Sequence, residues 1–265
     1  MKPCDNKIVR ECMAELNLPH FIVSTCVARG FNSAEKIKKY LNPSIEEDWG
    51  NPTDIPGMEE VVDRLHDAIL QKEQIVVFGD FDLDGISATT VMTRGLRALG
   101  AKVTPFIPDR FKHGYGLSLK AYEDVKALEP NIIVTVDCGI ANKKEVKAIV
   151  ADGTEVIITD HHESGDLVPE GVTICDPKHK GSEEDATLAG VGVALKVIQA
   201  LGSRFGFPHL WRSYTDIATL GTIADMMPFH LQNRALVNEG VTRIKTQCRP
   251  CIQALFESEI GRAHV

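Results

Sequence analysis

Three aspartates at alternate positions, Asp80, Asp82 and Asp84, follow directly on the apolar run Ile75-Val76-Val77-Phe78 and Gly79. Carboxylates this close repel one another and each resists burial, so the group is tolerable when solvated or when a divalent cation neutralises it. Two more polar groups have the same local setting. Asp137 follows the apolar run 132–136, and Asp160-His161-His162 follows 155–159. Aspartate with histidine is a ligand set suited to Mn²⁺, or to Mg²⁺ with fewer imidazoles. The carboxylates outnumber the needs of one ion and suit two, and two ions about 3.5–4 Å apart can activate a water and neutralise charge on a phosphoryl group. Each piece has a plainer reading. The triple aspartate can be a solvated turn that caps a helix, Asp137 another cap, and His161 a hydrogen-bonded turn histidine. Recurrence at three strand ends favours the metal centre.

Those strand ends have to be brought together by the fold. Residues 75–78 are apolar and mostly β-branched or aromatic, as in a strand buried on both faces. From Gln74 the pattern runs strand, turn, helix, repeatedly: strands over 75–79, 103–107, 132–136, 155–159 and 172–175, helices over 86–99, 118–128 and 143–151. Such alternation implies right-handed crossovers and a parallel sheet covered on both faces. In an open sheet of this kind ligands bind beyond the carboxyl ends of the strands, where these acids fall. The expected fold is α/β: a doubly wound, mostly parallel five-stranded sheet with a helical N-terminal leader and a helical C-terminal segment. The leader is expected over 1–72, with Ser33 capping one helix and another helix at 58–70. The sheet domain is expected over 73–228, with helices at 187–201 and 208–224. A helical connector over 229–258 and a tail at 259–265 complete the division.

Composition narrows the classes of function. Apolar content of 43% and charged content of 25% are those of an ordinary globular chain. The net charge of -8 does not advertise nucleic-acid binding. An acidic chain acting on a polyanion needs a local basic groove or bound metal to reverse the field. Seven scattered cysteines and no secretory segment near Met1 lead to an expectation of free thiols and a cytoplasmic location. Cys248-Arg-Pro-Cys251 is a lone CxxC with no second pair, which favours structural thiols over zinc. No run approaches the length of a transmembrane helix, so no membrane association is expected.

The motifs together resemble the DHH phosphoesterases and, within them, the RecJ family of bacterial single-stranded-DNA-specific exonucleases. The likeness lies in Val77-Phe-Gly-Asp-Phe-Asp-Leu-Asp-Gly85, Arg110-Phe-Lys-His-Gly-Tyr-Gly-Leu117, Thr135-Val-Asp-Cys-Gly-Ile140, Thr159-Asp-His-His162, Leu188-Ala-Gly-Val-Gly-Val-Ala194 and Ala218-Thr-Leu-Gly-Thr-Ile-Ala-Asp225. It covers roughly residues 20 to 255. The resemblance implies metal ligands at Asp80, Asp82, Asp84, Asp137, His161 and Asp225, with Asp137 bridging two Mn²⁺ or Mg²⁺ ions. Asp137, His161 and His162 would be catalytic, and His162 would contact the scissile phosphate. Pyrophosphatase-like members carry a histidine ligand four residues before the first aspartate of Asp-x-Asp. That position is Phe78 here, which favours the nuclease branch. RecJ-like enzymes continue into further domains, and by the same resemblance 259–265 is expected to be a non-native tail.

Two stretches are candidates for holding substrate. Arg110, Lys112 and His113 beside Gly114-Tyr115-Gly116 make a basic loop in which Arg110 could pair with phosphate and Tyr115 stack on a base. The alternative is a solvated loop. Gly190 and Gly192 open a helix whose amides could meet a phosphate; close helix–sheet packing explains them equally well. The leading expectation is a metal-dependent 5′–3′ exonuclease for single-stranded DNA in recombination and repair. By resemblance its partners would include repair-complex proteins such as a helicase and a single-strand binding protein. Alternatives are a phosphodiesterase for oligonucleotides or cyclic dinucleotides, and a degenerate scaffold of a replication or repair complex.

Overall fold

The structure, a computed structural model, describes residues 5–114, 116–179 and 185–259. It divides into two compact units, one ending at Asp48 and one beginning at Trp49. The first holds helices α1 (Asn6–Leu16), α2 (His20–Ala28), α3 (Ala34–Leu41) and α4 (Ile45–Asp48). Its core gathers Val9, Cys12, Val23, Cys26 and Ile37. Ser33 caps α3 as expected, its hydroxyl accepting the Lys36 amide at 3.3 Å.

In the second unit α5 (Met58–Gln71) precedes the sheet and buries Val61, Val62, Leu65 and Ile69. Residues 49–72, expected from sequence in the leader, therefore pack with the sheet unit; α5 lies against the later helices and the sheet edge. The strands are β1 (Gln74–Gly79), β2 (Lys102–Phe106), β3 (Ile132–Val136), β4 (Glu155–Thr159) and β5 (Thr173–Cys175). They form one sheet of order β2-β1-β3-β4-β5, parallel throughout. Interleaved are α6 (Leu83–Ala98), the short α7 (Arg110–His113), α8 (Leu119–Lys126) and α9 (Lys143–Ala151). After the sheet come α10 (Gly190–Arg204), a 3₁₀ turn Leu210–Tyr214, α11 (Thr215–Ala224), α12 (Leu231–Thr246) and α13 (Pro250–Glu259).

The pleat decides which side chains face which layer. Val76, Phe78, Ile133, Val156 and Ile158 form one core with Tyr122 and Val125 of α8 and Val146 and Ile149 of α9. The opposite face is covered by α6 and α10, which pack on each other and on the strands. The doubly wound expectation is met.

Two boundaries differ in an informative way. The helix expected from Ile86 begins at Leu83, with Asp82 as its cap, so Asp84 and Gly85 lie in its first turn. Gly85 does not break the chain there; a β-carbon at that position would lie 2.5 Å from the Asp80 carbonyl oxygen. The helix expected over 208–224 is a 3₁₀ turn followed by α11. The expected tail begins with Glu259, the last residue of α13; 260–265 lies outside the described residues.

Candidate metal centre

In-register pairing places four aspartates in one row. Gly79 pairs with Val136, Val136 with Thr159, and Thr159 with Cys175. The next residues are Asp80, Asp137, Asp160 and Asp176, and all four are buried. The ladder extends into the row: the Asp137 amide donates to the Thr159 carbonyl at 3.1 Å, and the Asp160 amide to that of Cys175 at 3.1 Å. Asp137 turns out of its strand at φ 60, in the left-handed region that asparagine and aspartate enter more readily than most residues.

Other elements close the site. Asp82 caps α6 by accepting the Gly85 amide at 2.9 Å. Buried Asp84 points the other way, into the N-terminus of α10, where it accepts the Gly190 amide at 2.7 Å and the Val191 amide at 3.0 Å. Asp225 follows the last residue of α11.

His161 lies at the focus. Its Nε2 is 3.1 Å from Asp137 Oδ1, 3.7 Å from Asp84 Oδ2 and 3.7 Å from Asp225 Oδ2. Yet Asp137 Oδ1 and both ring nitrogens of His161 are buried without a hydrogen-bond partner among the described residues. Converging donors that do not bond one another fit a cation between them. Two groups of three donors meet within 4.8 Å: Asp137, His161 and His162, and Asp84, His161 and Asp225. They share His161, and their oxygen and imidazole chemistry fits Mn²⁺ or Mg²⁺.

The electrostatics agree. Burial, then the charge of Asp82, pushes the Asp137 carboxyl up to about 8, with Asp160 and Asp225 adding to the effect. Burial, then Asp137, pushes Asp84 up to about 7. Burial lowers His161 and so favours the neutral imidazole that a metal needs. Asp160 behaves oppositely. Burial would raise it, but the hydrogen bond and charge of His162 and the amides of Ile140 and His161 hold it low. In return its Oδ1, 2.8 Å from His162 Nδ1, raises that imidazole to about 9. A half-exposed imidazolium thus stands at the mouth of an acidic site.

Residues 74–222 match the DHH family, N-terminal domain. The chain belongs to the DHH family. It is 38% identical to the single-stranded-DNA-specific exonuclease RecJ of Bacillus subtilis over 264 residues, 98% of this chain and 33% of that protein. It is 41% identical to RecJ of Thermus thermophilus over 205 residues, 77% of this chain and 30% of that protein. The crystal structure of the Thermus thermophilus RecJ in complex with Mn²⁺ superposes with a TM-score of 0.78 at 34% identity, covering 96% of this chain and 36% of that one. The chain spans about a third of the length of the curated relatives it matches.

Among the expected DHH ligands, Asp84, Asp137, His161 and Asp225 come together around His161 Nε2. Asp80 and Asp82 reach neither three-donor group, although Asp80 stands in the aspartate row and the Asp82 charge acts on Asp137. On the substrate side, Arg110 sits over the Phe81 ring at 5.2 Å, between the first two aspartates of the motif. His113 was expected to bind substrate, but it is buried. It accepts the Asp109 amide at Nδ1, 2.9 Å, and Nε2 lies 3.0 Å from Asp124, so it holds the loop together. Tyr115 lies outside the described residues. The α10 amides expected to meet phosphate are occupied by Asp84. Gly190 is required by close approach, since a β-carbon there would lie 2.6 Å from Asp137 Oδ1; Gly192 packs on Leu188.

Two residues gain a place that the sequence alone does not assign them. Asp160 positions His162, and Asp176 is buried in the same row with one oxygen unpartnered. A signal is present in both cases: each is the first polar residue after a strand.

Proposed function

We propose that this chain is the catalytic DHH part of a metal-dependent exonuclease that hydrolyses single-stranded DNA, as the names of its RecJ relatives suggest, and that it works from the 5′ end. The observation that carries the reading is the convergence of Asp84, Asp137 and Asp225 on the buried Nε2 of His161, which has no hydrogen-bond partner among the described residues. Asp84, Asp137, His161 and Asp225 would hold two Mn²⁺ or Mg²⁺ ions, with Asp80 and Asp82 supplying further negative charge. When bound, such ions activate a water and neutralise charge on the phosphoryl group.

The chain's own residues do the rest. Without metal, the hydrogen bond to Asp160 raises the His162 imidazole to about 9, so the ring carries a proton that it can offer as a charged hydrogen bond to a phosphate oxygen. Asp160 fixes that ring through Nδ1 and leaves Nε2 for the substrate. Arg110, braced on Phe81, pairs with a neighbouring phosphate. Phe78 stands where pyrophosphatase-like members place a histidine ligand. It is fully buried and stacks on Phe106 at 5.5 Å, which favours the nuclease reading over the pyrophosphatase one.

The proposed setting is cytoplasmic DNA recombination and repair, with a helicase and a single-strand binding protein as partners. No helix of the described residues is long and apolar enough to cross a membrane. The test is Mn²⁺-dependent release of mononucleotide from a 5′-labelled single strand, beside pyrophosphate and a dinucleotide. Early release of labelled mononucleotide supports the reading. Turnover of pyrophosphate or the dinucleotide alone overturns it.

A further inference from the structure

Six cysteines lie among the described residues, none of them in a disulfide. Cys12, Cys26, Cys138 and Cys175 are buried, and burial pushes the Cys138 and Cys175 thiols far up. Buried thiols of this kind are inert. Cys248 and Cys251 are exposed. They are three residues apart across the start of α13, where Pro250 is the first helical residue and Cys251 the second. Cys248 stands two residues before the helix, so its side chain is not held in helical register with that of Cys251. A disulfide needs about 3.5–4.5 Å between the two β-carbons, and the non-helical residues 248 and 249 supply the backbone freedom to reach it.

The residue enclosed by the pair is an anchor. The Arg249 Nε donates to Asp216 Oδ2 at 2.6 Å, and its guanidinium also donates to the Ser213 carbonyl. Asp216 is completely buried near the start of α11; a second cation near it, Arg243, has its Nε 4.0 Å away. The opposite end of α11 carries Asp225. Neither cysteine joins a three-donor group among the described residues, so a zinc site has no support here.

We propose that Cys248 and Cys251 are a redox site that forms a reversible internal disulfide by exchange with a low-molecular-weight disulfide such as oxidised glutathione. One thiolate attacks the small disulfide, forming a mixed disulfide and releasing one small thiol. The second cysteine attacks the protein sulfur of that bond, closing the internal disulfide and releasing the second small thiol. Two protein thiols are oxidised, one small disulfide is reduced, and the two protons go to the departing thiols. The ring so closed contains the Arg249 backbone, so the state of the pair bears on the clamp between α13 and α11.

The test equilibrates the protein across reduced-to-oxidised glutathione ratios, quenches with acid, alkylates and maps peptides by mass spectrometry. The expected product is a Cys248–Cys251 disulfide with loss of two hydrogens. Cys248→Ser and Cys251→Ser each stop at a single glutathionyl adduct on the remaining partner. Wild type that accumulates adducts at these positions without closing, or that pairs other cysteines, overturns the proposal. The melting temperature is expected to differ between oxidised and reduced wild type and not in the double serine variant; equal values for the two wild-type states would overturn the link to the α11 clamp.

Discussion

Asparagine in place of Asp137 removes a charge while keeping nearly the same shape, and it tolerates the left-handed backbone that Asp137 adopts at φ 60. Alanine would add strain at this φ and confuse the comparison. The carboxyl has an ordinary value of 3.8 and stands at about 8 in the folded chain, chiefly through burial and the Asp82 charge. Because the folded value is the higher, the native state binds a proton that the unfolded chain has released. The penalty is absent below pH 4, grows by about 1.4 kcal/mol per unit, and levels off near pH 8. At pH 7 it reaches a ceiling of about 4 kcal/mol. Asp137→Asn abolishes that penalty. The metal-free variant is therefore expected to be more stable than wild type at pH 7, by up to that amount, and equal to it near pH 4.

Metal reverses the order. A cation that binds only the folded state stabilises it by about 2.7 kcal/mol at a hundredfold excess over its Kd. Wild type gains this from Mn²⁺, and the variant loses most of it. Urea unfolding followed by tryptophan fluorescence measures both effects, since Trp49 and Trp211, the two tryptophans of the chain, are buried and stacked 5.8 Å apart in the sheet unit. A metal-free Asn variant less stable than wild type at pH 7, or one that responds to Mn²⁺ as wild type does, refutes the placement of Asp137 at the centre of the site.

Three other outcomes are expected. His162→Gln loses the charged donor but leaves the group of Asp84, His161 and Asp225 intact, so turnover falls roughly a hundredfold or more while the Mn²⁺-induced melting shift survives. Single-turnover assays beside thermal melts separate the two, and loss of the melting shift would make His162 a ligand first. Gly190→Ala drives a β-carbon into Asp137 and disturbs the amide that holds Asp84, so Mn²⁺ affinity measured by titration drops, with destabilisation of about 1–3 kcal/mol; unchanged affinity would show that α10 yields freely. Single-stranded DNA, titrated by anisotropy with Ca²⁺ to suppress turnover, binds weakly, with a slope of log K against log salt no steeper than about -2, as for two or three phosphate contacts. A slope beyond about -4 would reveal a basic groove that this chain's residues do not suggest.

The sheet is legible in the sequence because its signals are local. Each buried strand is a short β-branched run, and the polar residue that follows it marks the strand's carboxyl end. Pairing in register then turns separate motifs into one row of aspartates. Contacts between distant segments are not legible. Nothing near Gly190 in sequence announces that its amide serves Asp84, 106 residues earlier. An open helix N-terminus and one filled by a carboxylate have the same local sequence, so the sequence alone points these amides at phosphate. His113 misleads similarly: a basic residue in a basic loop looks free until Asp109 and Asp124 are found around it. Gly85 has the local signature of a breaker because its close approach to Asp80 is invisible without coordinates.

Filling the α10 terminus with Asp84 has an electrostatic consequence. A helix N-terminus carries roughly half a positive charge and is an obvious place to receive phosphate. Here that partial charge faces the Asp84 carboxylate, whose two oxygens are held by two amides. Fixing Asp84 so firmly leaves the mouth of the site without that attraction for the proposed polyanionic substrate. Positive charge there comes from His162, Arg110 and the cations themselves. Two divalent ions would bring the formal net charge from -8 to -4, all of the change falling at the acidic row. The ions therefore convert a region that repels a polyanion into one that attracts it, before any bond is broken. Under the proposed function, substrate affinity and turnover depend on the same cations, and the penalty of the buried acids is relieved only when the site is ready to act.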